Sequence, residues 1–322
     1  MFDILVVTFP FFALVLCGFL AIYRGMLPQV AIPGLNSFVL YFALPPLLYR
    51  FGASTPIGQL LDVALIGVYA VCAVIMVLFT IWVTRNERIG WNDASFGALV
   101  AAFPNTGFMG VPLLVALLGA GAAGPAIVAI LVDMLITSSL CIALSRLDGA
   151  EEHGSARAFR LALKGVVLNP LPWAIILGGL SSGMGWKLPG PVMATLTLLA
   201  DAASPVALFT IGAVLARAQL GMGKPTLARD YVPVVAIKLL MHPLLLTAIG
   251  LGAIALGVPL DRFTLTVVVL VAALPSASNV SLLAERFGAD NGRVARIILL
   301  STTLAFFTFS GAVALVKDSK IF

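Results

Sequence analysis

The sequence predicts an all-α polytopic membrane protein, and three observations lead to that class. Of the 322 residues, 61% are hydrophobic and only 10% are charged, whereas soluble domains carry about 25% charged residues. The mean hydropathy is +1.11. The apolar residues form unbroken runs instead of alternating with polar ones, which argues against a transmembrane barrel. A soluble fold could not cover its surface with so few charges, so a cytoplasmic enzyme, a secreted protein and a disordered protein are excluded.

Apolar runs of about 20 residues, the length that crosses a bilayer as a helix, define ten predicted spans. We expect the first run to be a retained span and not a signal peptide, because the residues before it, Met1-Phe2-Asp3, include no Lys or Arg. The ten spans cover residues 4–23, 35–51, 60–84, 94–118, 125–145, 165–182, 190–216, 231–257, 263–285 and 297–316.

Basic residues in the loops predict the orientation of these spans. Loops that follow odd-numbered spans carry 13 Lys or Arg residues, whereas the N-terminus and the other loops carry five. This bias places the odd-numbered loops, including the linker 146–164, in the cytoplasm and both termini outside. The basic residues form no cluster with aromatic residues on a polar background, so the predicted partner is the lipid bilayer and not a nucleic acid.

Two matching strings predict an internal repeat. Residues 99–105 read LVAAFPN and residues 270–276 read LVAALPS, at a separation of 171 residues. The repeat unit then contains five spans, an odd number, so the second copy enters the membrane from the opposite side. The predicted organisation is a first five-helix repeat at 1–145 and an inverted second repeat at 165–322. The alternative is chance similarity between helices rich in Ala and Leu.

Each matching string carries a proline inside its span, Pro104 in span four and Pro275 in span nine. Proline removes a helical hydrogen bond, and in lipid the freed carbonyls need partners in protein or water. Two such breaks at equal depth predict a site for a carboxylate or another small anion. The alternative is that both prolines only kink packed helices. The predicted substrate-binding residues are Pro104, Asn105, Thr106, Gly107, Pro275, Ser276, Ser278 and Asn279.

Charge inside a membrane span is expensive and usually functional, and four ionisable residues inside the predicted spans are candidates for coupling or charge relay. Asp133 and Asp201 are candidate proton carriers, with hydrogen-bonded structural carboxylates as the alternative. Lys238 and His242 share one helix face at a spacing of four. Lys238 could attract an anionic substrate or pair with Asp133, and His242 could titrate near neutrality or pack at a helix break. Coupling stays open between a proton, sodium and no ion, and neither a cofactor nor a bound metal is predicted.

Five segments resemble the auxin efflux carrier family over nearly the whole chain. The resemblance implies ten helices in two inverted repeats, with a substrate site where helices four and nine cross. It also implies a scaffold from helices 1, 2, 6 and 7, and a transport part from helices 3–5 and 8–10 that moves by alternating access. The segments are NSFVLYFALPPLLYR (36–50), PNTGFMGVP (104–112), PVALFTIG (205–212), KLLMHP (238–243) and PSASNVSLLAE (275–285).

The resemblance also bears on assembly, substrate and location. Plant members of the family are dimers, so a homodimer is a candidate assembly. The chain lacks the long central cytoplasmic loop of plant PIN-type carriers, and so it is similar to the short bacterial members, often described as permeases for malonate or similar dicarboxylates. That similarity implies the bacterial cytoplasmic (inner) membrane.

The predicted function is therefore a secondary active or facilitative transporter of a small organic anion, and not an enzyme. The sequence contains no nucleotide-binding motif and neither HExxH nor GxSxG. The alternatives are a sodium-coupled organic anion symporter of the bile-acid-symporter type, an anion channel, and an intramembrane hydrolase with Asp133 and Asp201 as an aspartyl dyad.

Overall fold

The computed structural model describes residues 2–55, 58, 61–147, 170–220 and 227–318, and it is built from helices. The α-helices in these ranges are α1 (Phe2–Tyr23), α2 (Ala31–Phe38), α3 (Leu44–Ser54), α4 (Val63–Thr84), α5 (Trp91–Ala102), α6 (Val111–Leu118), α7 (Ala123–Val132), α8 (Ser138–Leu144), α9 (Pro170–Met184), α10 (Gly190–Leu220), α11 (Ala228–Ala236), α12 (His242–Ala255), α13 (Arg262–Ala272), α14 (Val280–Arg286) and α15 (Asn291–Asp318). A short 3₁₀ turn, Ala120–Ala122, precedes α7.

Within the described ranges, seven helical segments are long and apolar enough to cross a membrane, so the chain is a multi-pass membrane protein. The seven are Val6–Tyr23, Ala31–Ser54, Val63–Thr84, Ala120–Leu144, Gly190–Arg217, Ala228–Ala255 and Asn291–Val316. Three further apolar helices are shorter, namely Thr106–Leu118, Trp173–Met184 and Arg262–Ala272. Spans four, six and nine of the sequence prediction thus correspond to the shorter helices.

Predicted spans four and nine are interrupted close to their prolines. Span four ends as an α-helix at Ala102 and resumes as a π-helix over Thr106–Gly110, which leads into α6. Span nine ends at Ala272 and resumes at Val280. The carbonyls at the end of α5 and α13 therefore lack the next helical turn, and their partners must come from elsewhere.

Three other spans continue through a π turn. The π segments Val39–Ala43, Asp133–Thr137 and Ile237–Met241 join α2 to α3, α7 to α8 and α11 to α12. A π turn widens the helix by one residue and is often found at functional sites. Asp133 opens the second of these segments and Lys238 lies in the third, so two of the predicted intramembrane charges occupy widened turns.

The chain divides into two compact units, each drawing on both halves of the sequence. Unit 1 contains Met1–Asp62, Thr106–Val128 and Val167–Gly221, and unit 2 contains Val63–Asn105, Ala129–Val166 and Met222–Phe322. Most of the predicted cytoplasmic linker, residues 148–164, lies outside the described residues.

Unit 1 packs helices closely through glycines. A Cβ atom added at Gly18 or Gly212 would overlap the backbone of the facing helix where α1 meets α10, and one added at Gly178 would overlap α3. Small residues at such contacts let membrane helices approach until their backbones touch.

Unit 2 is built around α5 and α13. Every residue of Ala94–Ala102 in α5 and of Thr264–Ala272 in α13 is buried. A helix that is apolar on all sides is typical of a protein core. These two buried helices are the ones that end at the interrupted spans, so the breaks lie inside the packed part of unit 2.

Candidate functional site

The two interrupted spans pair with each other in unit 2. After α5 ends, Phe103 is extended, with φ −98° and ψ 101°. The backbone N–H of Asn105 donates to the carbonyl oxygen of Pro275 at 2.8 Å, and the N–H of Ala277 donates to the carbonyl oxygen of Phe103 at 3.0 Å. These two bonds supply partners for backbone groups that neither broken helix could satisfy alone. We call the paired segments 103–105 and 275–277 the crossing.

Predicted site residues occupy the centre of the crossing. Pro104 and Ser276 face each other as an antiparallel bridge. The side chains of Asn105, Ser276 and Ser278 are buried. Within the described part of the chain, the hydroxyl oxygen of Ser276 and the amide oxygen of Asn279 are buried without a hydrogen-bond partner. Buried polar atoms normally have partners, so the Ser276 hydroxyl, which can donate, is a candidate to contact a bound solute, whereas the Asn279 amide oxygen only accepts.

The structure brings together four of the eight predicted substrate residues, Pro104, Asn105, Pro275 and Ser276. Ser278 and Asn279 follow within the same break, before α14 begins. Thr106 and Gly107 continue the chain beyond Asn105, but they open the π segment Thr106–Gly110 and belong to unit 1. Thr106 is buried and Gly107 is partly exposed.

Asp133 is fully buried in unit 2 and accepts two hydroxyl hydrogen bonds. The hydroxyl of Tyr69 donates to Oδ2 at 3.0 Å, and that of Thr137 donates to Oδ1 at 3.0 Å. The Ser138 hydroxyl donates to the backbone carbonyl of Asp133 at 2.9 Å. Both carboxylate oxygens therefore have donors, and Asp133 can stay buried without a cation in direct contact.

Lys238 is also fully buried, and its ammonium group contacts the end of α13. Nζ donates to the carbonyl oxygen of Ala272 at 2.9 Å and lies 3.0 Å from Nδ1 of His242. The rings of His242 and Tyr69 lie 6.5 Å apart, which links this pair to the Asp133 side. In the described residues, the ion pairs within 4.0 Å do not include Lys238 and Asp133.

Asp201 differs from the other predicted charges because it is exposed and paired. It lies in unit 1, where Nη1 of Arg50 donates to its Oδ1 at 2.7 Å. The side chains of Arg50 and Asp201 are 36% and 60% exposed. The structure therefore separates Asp201 from the buried residues Asp133, Lys238 and His242, all of which belong to unit 2.

Sequence reasoning missed the partners of the buried charges. Tyr69 stands as one phenol in an apolar run, and its distance of 64 residues from Asp133 gives no local signal. Ser301 was missed for the same reason, although its hydroxyl accepts from the N–H of Ser276 at 3.3 Å. A polar residue in a strongly apolar span is the signal that could have singled them out.

Arg293 was also missed, since the sequence placed it only in a basic loop. Its side chain is buried in unit 2. Nε donates to the carbonyl of Asp230 at 2.7 Å, and Nη1 donates to the carbonyl of Asp93 at 2.8 Å. Asp290 accepts from the Arg293 N–H at 2.9 Å, and its own N–H donates to Asp93 Oδ1 at 2.7 Å. These bonds join the first turns of α5, α11 and α15.

Comparison with known proteins bears on this arrangement. Residues 3–313 match the profile of a family described as "Membrane transport protein". A protein of Rhizobium meliloti named "Putative malonate transporter" is 26% identical over 322 residues, which cover 99% of this chain and 98% of that protein.

Two further relatives carry transporter names. An "Uncharacterized transporter" of Methanothermobacter thermautotrophicus is 29% identical over 91% of each chain. The "Uncharacterized transporter YfdV" of Escherichia coli K12 is 24% identical over 86% of each chain. The family and these names confirm a transporter and not an enzyme. The resemblance to the auxin efflux carrier family is also confirmed, and this chain belongs to the membrane transport protein family.

Proposed function

We propose that this chain is a secondary transporter of a small organic anion, a malonate-like dicarboxylate, which it carries by alternating access. The substrate is held at the crossing. The observation that carries this proposal is the pair of buried backbone hydrogen bonds between segments 103–105 and 275–277. Interrupted helices whose broken ends meet inside the protein are the typical substrate site of secondary transporters.

The side chains at the crossing suit an anion. The segments 103–105 and 275–279 contain no acidic residue. Asn105, Ser276 and Asn279 carry amide or hydroxyl groups that can donate hydrogen bonds. The ammonium of Lys238 donates to the carbonyl of Ala272, which is the last residue of α13 before the break. Neutral donors with a nearby cation favour a carboxylate over a cationic or apolar solute.

The proposed architecture is ten spans in two inverted five-helix repeats. The antiparallel bridge between Pro104 and Ser276, which lie in the two matching strings, supports this inversion. The proposed scaffold, spans 1, 2, 6 and 7, falls within unit 1, and the proposed transport part, spans 3–5 and 8–10, accounts for unit 2 and for residues 106–128 of unit 1. We expect the interruption after Asn105 to be where the transport part changes its backbone during the cycle.

The charge bias of the loops and the names of the relatives support proposals for the orientation and the substrate of the transporter. The name of the Rhizobium meliloti protein supports a malonate-like substrate. The excess of Lys and Arg in odd-numbered loops supports a position with both termini outside the bacterial inner membrane. A homodimer is the proposed assembly, and size-exclusion chromatography with light scattering tests it.

The test begins with purified protein. Its unfolding temperature is measured against a series of mono- and dicarboxylates, with and without sodium, at two pH values, because a ligand of the native state raises apparent stability. Uptake of the carboxylate that stabilises most is then measured in proteoliposomes.

Asn105→Ala and Asn279→Ala are expected to lower uptake at least about tenfold, the loss for one hydrogen bond to a charged group, with normal insertion. Asn86→Ala is the matched control, because the Asn86 side chain stabilises a turn with Arg88 and Ile89. Normal uptake by both crossing variants would contradict the proposal.

A further inference from the structure

The carbonyl of Ala272 lies at the end of α13, and a charged donor completes its hydrogen bonding. In an uninterrupted helix this carbonyl would accept from the N–H of Ser276. That N–H instead donates to the hydroxyl of Ser301 at 3.3 Å. Pro275 has no N–H, so the last helical bonds tighten and Leu274 donates to the Val271 carbonyl at 3.1 Å. The ammonium of Lys238 takes the place of the lost donor at Ala272.

The ammonium is held in this position by its own helix. Lys238 lies in the π segment Ile237–Met241. His242, the first residue after this segment, donates its backbone N–H to the Ile237 carbonyl. Nζ lies 3.0 Å from Nδ1 of His242, and because an ammonium can only donate, we assign the acceptor role to Nδ1 and the ring proton to Nε2. The ammonium of Lys238 is thus held between the ring of His242 and the carbonyl of Ala272 at the end of α13.

This buried cation is not neutralised by direct contact with a carboxylate in the described residues. Asp133 has both oxygens occupied by the hydroxyls of Tyr69 and Thr137. An isolated buried charge is expensive. The C-terminal end of a helix carries partial negative charge, and in secondary transporters such half-helix ends coordinate the coupling cation. The α13 end therefore offers the electrostatic partner that the ammonium needs.

We propose that Lys238 is a tethered cation that occupies the cation position at the C-terminal end of α13, so that this carrier needs no sodium ion at its crossing. The ammonium supplies the positive charge that a free ion would bring. Lys238 is thus a positioning residue, which holds the break of span nine in the arrangement that binds the anion. The claim that transport needs no sodium rests on the proposed function. The claim that the Lys238 ammonium occupies the cation position does not.

The test compares cations that fit the vacated position with one that does not. Lys238→Ala removes the ammonium and leaves room at the Ala272 carbonyl. Purified wild type, Lys238→Ala and the control Lys187→Ala, which changes an exposed lysine, are unfolded thermally in sodium, methylammonium or choline chloride at equal ionic strength. Only Lys238→Ala is expected to unfold at least about 2 °C higher in sodium or methylammonium than in choline.

Two outcomes would overturn the inference. One is a wild type that is itself stabilised by sodium over choline, and the other is a folded Lys238→Ala variant with no cation preference. Should Lys238→Ala fail to fold, the wild-type comparison still decides. Lys238→Gln then serves as the second variant, because it keeps a donor without the charge. Normal sodium-free malonate uptake by Lys238→Gln would also refute the need for a cation.

The transport arm separates this inference from the proposed function. Malonate uptake by the wild type is expected to be equal in sodium and in choline. If the wild type transports no carboxylate in either salt, the proposed function fails, and the thermal comparison still decides whether Lys238 fills a cation position. If the wild type transports only in sodium, the proposed function stands and the tethered-cation inference is wrong.

Discussion

Gly212 sets the distance between α1 and α10 in unit 1, and replacing it with alanine tests that contact. The added Cβ would overlap the carbonyl oxygen of Val15, its nearest neighbour, and would also lie 2.7 Å from the backbone nitrogen of Phe19 and 2.8 Å from the carbonyl carbon of Val15. Ordinary contacts begin at 3.4 Å, so the two helices must separate by at least about 0.7 Å. The obstructing atoms are backbone and cannot rotate away. Overpacking of this kind costs about 1–3 kcal/mol.

The assay is thermal unfolding of the purified protein, followed by tryptophan fluorescence. Trp173 and Trp186 lie in unit 1 and report on it directly. Gly212→Ala is expected to lower the unfolding temperature by at least about 2 °C. Gly67→Ala is the control, because a Cβ there meets no atom within 4 Å, and alanine in a helix is favoured over glycine by about 1 kcal/mol. Equal unfolding temperatures for Gly212→Ala and wild type would refute the reasoning.

Two other predictions concern the charged residues. Asp133→Asn replaces an acceptor oxygen with an amide nitrogen that cannot accept from Tyr69 or Thr137, so thermal unfolding is expected to show a loss of about 1–3 kcal/mol. Tyr69→Phe removes one donor and is expected to lose less, about 0.5–1.5 kcal/mol; an unchanged Asp133→Asn variant would contradict the network. Arg50→Asp and Asp201→Arg each place like charges together and are expected to lower the unfolding temperature. The double exchange restores opposite charges and stability, and a double variant no better than either single one would show that the pair does not interact.

The positions of the helix breaks were predictable because proline acts locally. Pro104 and Pro275 each remove one backbone donor wherever their spans are placed, and the structure ends α5 and α13 within three residues of them. The polar residues Asn105 and Ser276 were predictable as site candidates for the same reason, since they follow directly in sequence. The contacts between the two breaks required the folded unit, because 170 residues separate Asn105 from Pro275.

The roles of the intramembrane charges could not be read from the sequence. Asp133 and Asp201 look alike as acidic residues in apolar spans, yet one is buried under two hydroxyls and the other is exposed beside Arg50. Lys238 could have paired with Asp133 by charge alone. The π turn and the interrupted α13 instead direct its ammonium to a backbone carbonyl.

Hydropathy by itself determined that this chain crosses a membrane several times, because it depends on the sum of neighbouring residues. The two prolines marked where helices could be interrupted, but a proline alone does not decide this, since α1 and α10 continue through Pro10 and Pro205. Only the tertiary structure decided which atoms satisfy the freed carbonyls and the buried charges. Such partners lie tens to hundreds of residues apart, and helix packing selects among several donors that the sequence offers equally.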